Sequence, residues 1–351
     1  MLNYLSEPQM VALVGALGGV LLGLAARIGR FCTLGAIEDV YYGDSTLRLR
    51  MWGVAIGVAV IGTFGLSAFG WLELDQTLYL GRDWNPVACV VGGLIFGYGM
   101  ALAGNCGYGA LARLGGGDLR SFVIVLVMGL AAYITLGGPL SGPRLWLFGE
   151  ANEGAVMPSF ATGLAGITGV PVDIAGMLCG ALILILTLAH RPMRRAFAHV
   201  FWGAVVGLAI VSGWAGTQWV ANNGFDATPV LSHTFSAPLG ETMLYAMTSS
   251  GNTISFGTGS VLGVLIGAFA GSMFKGHFRW EACDDPRELG RQILGASLMG
   301  IGAVVAVGCS VGQGLSAFSV LAYSAPLTLV SIVAGAAIGL RQLILGFAPG
   351  V

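Results

Sequence analysis

Stretches of about 20 consecutive apolar residues, the length a helix needs to cross a hydrocarbon layer, recur along the whole chain and constrain its fold more than any other feature. The candidate spans are 10–26, 50–71, 87–104, 119–140, 171–189, 200–221, 254–274, 291–307 and 325–345. Within lipid, backbone polar groups must pair inside their own segment or around a closed barrel, so runs of this length are expected to be helices. Only 9% of the 351 residues are charged, against roughly 25% in a soluble domain, so a water-facing surface for them could not be assembled. The expected fold class is therefore an all-α integral membrane protein of about nine transmembrane helices, forming a single membrane domain over 1–351. The net charge of -1 decides nothing by itself, but the lack of a basic tail, an aromatic-rich basic patch or a nucleic-acid motif argues against nucleic acid as a partner. Residues 1–9 lack the basic segment of a cleavable signal peptide, so the first span is expected to stay in the mature protein.

The arginines and lysine give the sidedness. With the N-terminus outside, Arg27, Arg30, Arg48, Arg50, Arg113, Arg120, Arg191, Arg194, Arg195, Lys275, Arg279, Arg287, Arg291 and Arg341 fall on the cytoplasmic side, and only Arg82 and Arg144 fall outside. This is the bias of the positive-inside rule, and it predicts a cytoplasmic C-terminus. The two longest connections, 141–170 and 222–251, each hold a semi-apolar piece (160–167 and 238–247) that reads as a short re-entrant half-helix.

The chain also repeats itself. Residues 92–109 (GGLIFGYGMALAGNCGYG) match 295–312 (GASLMGIGAVVAVGCSVG) at a constant offset of 203 residues, which places Cys106 on Cys309 and Gly109 on Gly312. Span 50–71 falls on 254–274 at a similar offset. By span count the helix before Cys106 runs inward and the helix before Cys309 runs outward, so two inverted-topology repeats are expected. They cover about 8–165 and 198–351, with a connecting helix at about 171–189. Such repeats bring interrupted segments together near the membrane midplane, where substrate binds.

Glycines 97 and 99 are expected to be packing positions. The denser clusters GNCGYG (104–109) and GCSVGQG (308–314) sit where apolar helices end, and there a backbone break is expected, with N–H groups free to face an anion. Cys106 and Cys309 are thus the leading substrate-binding candidates, with Cys32 in GRFCTLGAIED (29–39) as a third. The second-half counterpart of Cys32 is expected within 247–257, which holds Ser249, Ser250 and Ser255. Thiols are weak, soft donors suited to a terminal sulfur and poorly matched to strongly hydrated oxyanions. Asn105, Tyr108, Ser310 and Gln313 flank the two central thiols and complete the candidate set. Glu38, Asp39, Arg113 and Asp118 are candidates for an inner vestibule; Arg27 and Arg30 could draw an anion inward, but the positive-inside topology already explains them. Cys89 and Cys179 lie in unbroken apolar runs and are expected to be inert core residues; Cys283 lies in a polar loop. The cysteines form no CxxC pair and no helix carries ligands at metal spacing, so neither metal nor cofactor is expected.

The segments FCTLGAIED around Cys32, GMALAGNCGYGALARLGGGDLRSF around Cys106 and GCSVGQGLSAFSVLAYSAP around Cys309 resemble the YeeE/YedE (sulfur transport) family of membrane proteins. The resemblance spans essentially the whole chain. It implies an hourglass-shaped inner-membrane importer in which Cys32, Cys106 and Cys309 contact thiosulfate. It also implies a cytoplasmic partner for some members, either a sulfurtransferase of the TusA type or a sulfur-responsive regulator. The expected function is import of thiosulfate or a related sulfane-sulfur anion, without enzymatic turnover. Two other classes compete: a membrane sulfurtransferase that forms Cys persulfides and passes sulfur to a cytoplasmic acceptor, and a sensor acting on a regulator through loop 275–291. A quinone-linked thiol oxidase ranks last, for want of a CxxC pair.

Overall fold

Apolar sequence of this length leaves the backbone no partner but itself, and helix follows. The computed structural model describes residues 6–149, 157–225, 227–282 and 285–346. Cys283, with the question of its role, lies outside the described residues. Fifteen α-helices follow in order: α1 Glu7–Arg27, α2 Thr33–Tyr41, α3 Leu47–Ala68, α4 Pro86–Ala103, α5 Gly107–Gly115, α6 Leu119–Leu136, α7 Ser141–Phe148, α8 Phe160–Thr168, α9 Val172–Leu188, α10 Arg191–Arg195, α11 Phe197–Asn223, α12 Ala237–Thr248, α13 Phe256–Phe274, α14 Pro286–Val305 and α15 Ser324–Leu345. No extended strand occurs among the described residues.

Local chemistry sets several boundaries. The Asn85 side chain accepts from the N–H groups of Val87 and Ala88, and Pro86 opens α4 where an N–H would lack a partner anyway. Asp118 and Asp285 cap α6 and α14 in the same way. Ser159 and Thr162 form a reciprocal capping box at the start of α8.

The all-helical membrane architecture is as expected, but the count of nine spans is not reached. Among the described residues seven helices are long and apolar enough to cross a membrane: α1, α3, α4 continued through α5 (Pro86–Gly115), α6, α11, α13 and α15. The pair α8 and α9, bent by 112° at its break, makes an eighth if counted as one. The remaining candidate, α14, is 20 residues long but carries Arg287, Glu288 and Arg291 in its first two turns. Both semi-apolar pieces of the long connections are helical, as α8 and α12.

Helix α1 packs along α13, and α3 along α11; α4 packs along α15, and α14 along α6. Helices α4 and α14 also pack on each other, as do α1 and α11. The seams are built on glycine. A Cβ at Gly99 would stand 2.5 Å from the Gly295 carbonyl oxygen, and one at Gly295 would stand 2.6 Å from that of Gly99. With no lipid-excluding drive between apolar helices, this close backbone approach is what holds them, through dispersion and small-residue fit. Gly97 and Gly99 are therefore the packing residues their spacing suggested.

Candidate functional site

Three short helices begin at a cysteine. Cys32 is the N-cap of α2 and Cys106 the N-cap of α5. Cys309 precedes a helix whose middle, Gly312–Ala317, is π-helical. The sulfur of Cys106 accepts the N–H of Gly109 (3.4 Å), and that of Cys309 accepts the N–H of Gly312 (3.5 Å). Each sulfur thus satisfies a backbone donor that a helix start leaves orphaned. The chain reaches all three cysteines by one manoeuvre, a left-handed residue two positions earlier: Arg30 (φ 56), Gly104 (φ 74) and Val307 (φ 54). Gly104 adopts this freely, whereas β-branched Val307 does so at a cost on the order of 1–3 kcal/mol. Strain retained at a break beside a thiol is typical of a functional site.

Gln313 holds the third break in place. Its amide donates to the carbonyls of Ala306 (2.9 Å) and Val307 (3.0 Å), and its oxygen accepts from Ser324 (3.3 Å). The extended segment 230–236 closes over Cys309, donating the Phe235 N–H to its sulfur (3.3 Å) with Thr234 Oγ1 3.7 Å away. That segment is fixed by Ser316, which donates to the His233 carbonyl (2.6 Å), and by Ser232, which donates to the Ile210 carbonyl of α11 (2.8 Å). Thr33 beside Cys32 donates to Ser310 beside Cys309 (3.1 Å), tying two of the breaks together. Ser310, Cys32 and Cys309 all lie close to Cys106.

Two cavities flank these thiols. The wider, about 800 Å³, is lined among others by Tyr79, Arg82, Arg144, Thr234, Gly308 and Gln313. The narrower, about 350 Å³, is lined by Cys32 and Asn105 together with Arg27, Arg30, Arg48, Arg113 and Lys275, with Glu38 as its carboxylate. Cys106 and Cys309 line neither cavity; they are 1% and 2% exposed, between Asn105 and Gly109 on one side and Thr234, Gly308 and Gln313 on the other. Ser310 and Tyr108 are buried with them. Aromatic rings from the breaks line this neck. Phe31 stacks on Trp52 (4.7 Å) and meets Tyr108 edge-on (6.5 Å), and Tyr108 lies 5.4 Å from Phe235. Apolar walls exclude water, so a weak S–H or backbone N–H donor there competes with nothing for an anion.

The structure thus gathers all seven candidate residues at one neck. Some are already engaged: the Tyr108 hydroxyl donates to the Leu22 carbonyl (2.6 Å), leaving its ring toward Phe31 and Phe235. Of the vestibule candidates, Glu38 and Arg113 line the narrow cavity, while Asp39 pairs with Arg48 (3.3 Å) and Asp118 with Arg120 (3.3 Å). Cys89 is buried but lines the wide cavity, a placement its unbroken apolar run gave no sign of; Cys179 is half-buried on α9. Within 247–257, Ser255 caps the long helix α13; the short helix α12 starts at Ala237 with Ser236 as N-cap after Phe235, as α2 starts at Thr33 with Cys32 as N-cap after Phe31. Carrying the 203-residue offset onto Cys32 itself would have landed on residue 235 and found this pair.

Long apolar helices, breaks that bury thiols and cavities lined in part by arginines on either side define a multi-pass membrane transport protein. The chain belongs to the Sulphur transport family, whose family model matches residues 28–338. It is similar to the thiosulfate transporter TsuA of Escherichia coli (strain K12), with 27% identity over 333 residues and 92% of each chain covered. It is likewise similar to the thiosulfate transporter TsuA of Spirochaeta thermophila, with 25% identity over 329 residues, covering 92% of this chain and 96% of the relative.

Proposed function

We propose that this chain imports thiosulfate, or a related sulfane-sulfur anion, across a bacterial inner membrane, with its N-terminus outside and its C-terminus cytoplasmic. The observation that carries this is the neck: two buried thiols at helix starts, with backbone donors around them, between cavities lined by arginines. The anion is drawn into the wide cavity by Arg82 and Arg144, sheds water at the aromatic walls, and passes from Cys309 to Cys106 and Cys32. It emerges among Arg30, Arg48 and Arg113. Each contact is weak, which suits passage, because a site that binds tightly does not release. Asn105, Ser310 and Gln313 hold the breaks open to the anion or touch it, and Tyr108 supplies a wall.

Two inverted halves, about 8–165 and 198–351 joined through 171–189, are part of the proposal. Reciprocal helix pairing supports them, since α1 on α13 becomes α11 on α3 when the halves are exchanged, and α4 on α15 becomes α14 on α6. A cytoplasmic acceptor, a TusA-type sulfurtransferase or a sulfur-responsive regulator, would meet the anion at the narrow cavity.

Uptake by proteoliposomes tests the function. Labelled thiosulfate should accumulate inside and be competed by unlabelled thiosulfate, with sulfate at the same concentration having little effect. Sulfate competing as well as thiosulfate would refute a thiol-based choice, because sulfate presents only hard, hydrated oxygens.

A further inference from the structure

Ser236 occupies the position in the second half that Cys32 occupies in the first, each the residue after a neck phenylalanine and the N-cap of a short helix. The two differ in where they face. Cys32 lines the narrow cavity and Ser236 the wide one. Ser236 is only 4% exposed, yet its hydroxyl bonds neither the backbone of its own helix nor any other described group. Because Ser236 lines the wide cavity, its hydroxyl is left to be met by what enters there, since a polar group without a protein partner is normally satisfied by water or a ligand. Its neighbour in sequence, Phe235, gives its N–H to Cys309, so the free hydroxyl and the Cys309 thiol belong to one station on the wide-cavity side of the neck.

We infer that Ser236 is a specificity-determining contact that grips the oxygen end of the anion while Cys309 receives its terminal sulfur. This rests on the transport role proposed above and adds an orientation to it. An O–H is a stronger, harder donor than S–H and suits an oxyanion oxygen; a thiol suits the polarizable sulfur. A station with one of each can accept thiosulfate in a single orientation, sulfur end toward Cys106. It holds sulfate or sulfide by one contact only.

Initial uptake rates across a thiosulfate concentration series in proteoliposomes test the assignment, with Cys309→Ala run in parallel. Ser236→Ala should raise the half-saturating concentration about 10-fold, the size expected for one hydrogen bond to a charged group, with the maximal rate within about twofold. Ser236→Cys should behave like the alanine variant and Ser236→Thr, which keeps the hydroxyl, like the parent. An unchanged half-saturating concentration in Ser236→Ala would overturn the inference, as would a loss of maximal rate shared equally by Ala and Thr. Normal transport by Cys309→Ala would instead overturn the thiol path, whatever the Ser236 variants do.

Discussion

Alanine at Cys309 or at Cys106 is expected to cut the initial rate of thiosulfate uptake at least ~10-fold in proteoliposomes while the protein still inserts and purifies. The transport loss follows from the neck. Each sulfur is the soft donor at a point where apolar rings exclude water, and losing a hydrogen bond to a charged group in such a place costs roughly 1.5–3 kcal/mol, a factor of about 10 or more. The fold should survive because the Cys106 sulfur contributes one helix-cap bond, from Gly109, and the Cys309 sulfur one from Gly312 and one from the Phe235 N–H; losing a cap costs about 1 kcal/mol, and an unmet buried N–H about 1–3 kcal/mol more. Serine at either position keeps the cap and the shape but substitutes a harder group, so its rate should fall between parent and alanine. Cys179→Ala, on half-buried α9 away from both cavities, should leave the rate unchanged. Full uptake by Cys106→Ala or Cys309→Ala in vesicles of equal protein content would count against the thiols.

A large structural effect is expected at Gly97, on the seam between α4 and α15. A Cβ there would stand 2.0 Å from the carbonyl oxygen of Ile332 and 2.8 Å from the amide nitrogen of Ala336. Both are backbone atoms of a helix, so nothing small can turn aside, and Gly97→Val must push the two helices apart. Overpacking a tight core costs typically 1–3 kcal/mol, and here the displaced unit is a whole helix of the scaffold carrying the neck. Gly97→Val should lower the melting temperature in detergent by many degrees or prevent recovery of monodisperse protein. Gly65→Val on α3 meets open space, with no atom within 4 Å, and should melt like the parent. Parent-like melting of Gly97→Val would show that α4 and α15 do not approach as described.

Much of this arrangement was legible in the residues, and the gaps have physical causes. Long apolar runs mark helices because lipid leaves the backbone no alternative, and the repeated glycines around Cys106 and Cys309 marked the breaks. The count of nine is not confirmed at α14, where apolar length is real but Arg287, Glu288 and Arg291 crowd its start. The neck's second side was hidden for a different reason. Segment 230–236 is held by bonds from Thr217, Ser232 and Ser316 to carbonyls of a distant helix and of its own strand-like backbone, and such partners leave no periodicity to read. Val307 was hidden as well, since nothing about a valine announces a left-handed backbone; only its alignment with Gly104 hinted at one.

A structure of the protein with thiosulfate bound would decide whether the thiols form the path. The anion is expected inside the neck, its terminal sulfur in van der Waals contact with the sulfur of Cys309 or Cys106 and its oxygens toward the wide cavity. An anion found only among surface arginines, with both thiols remaining in closed packing during transport, would contradict it.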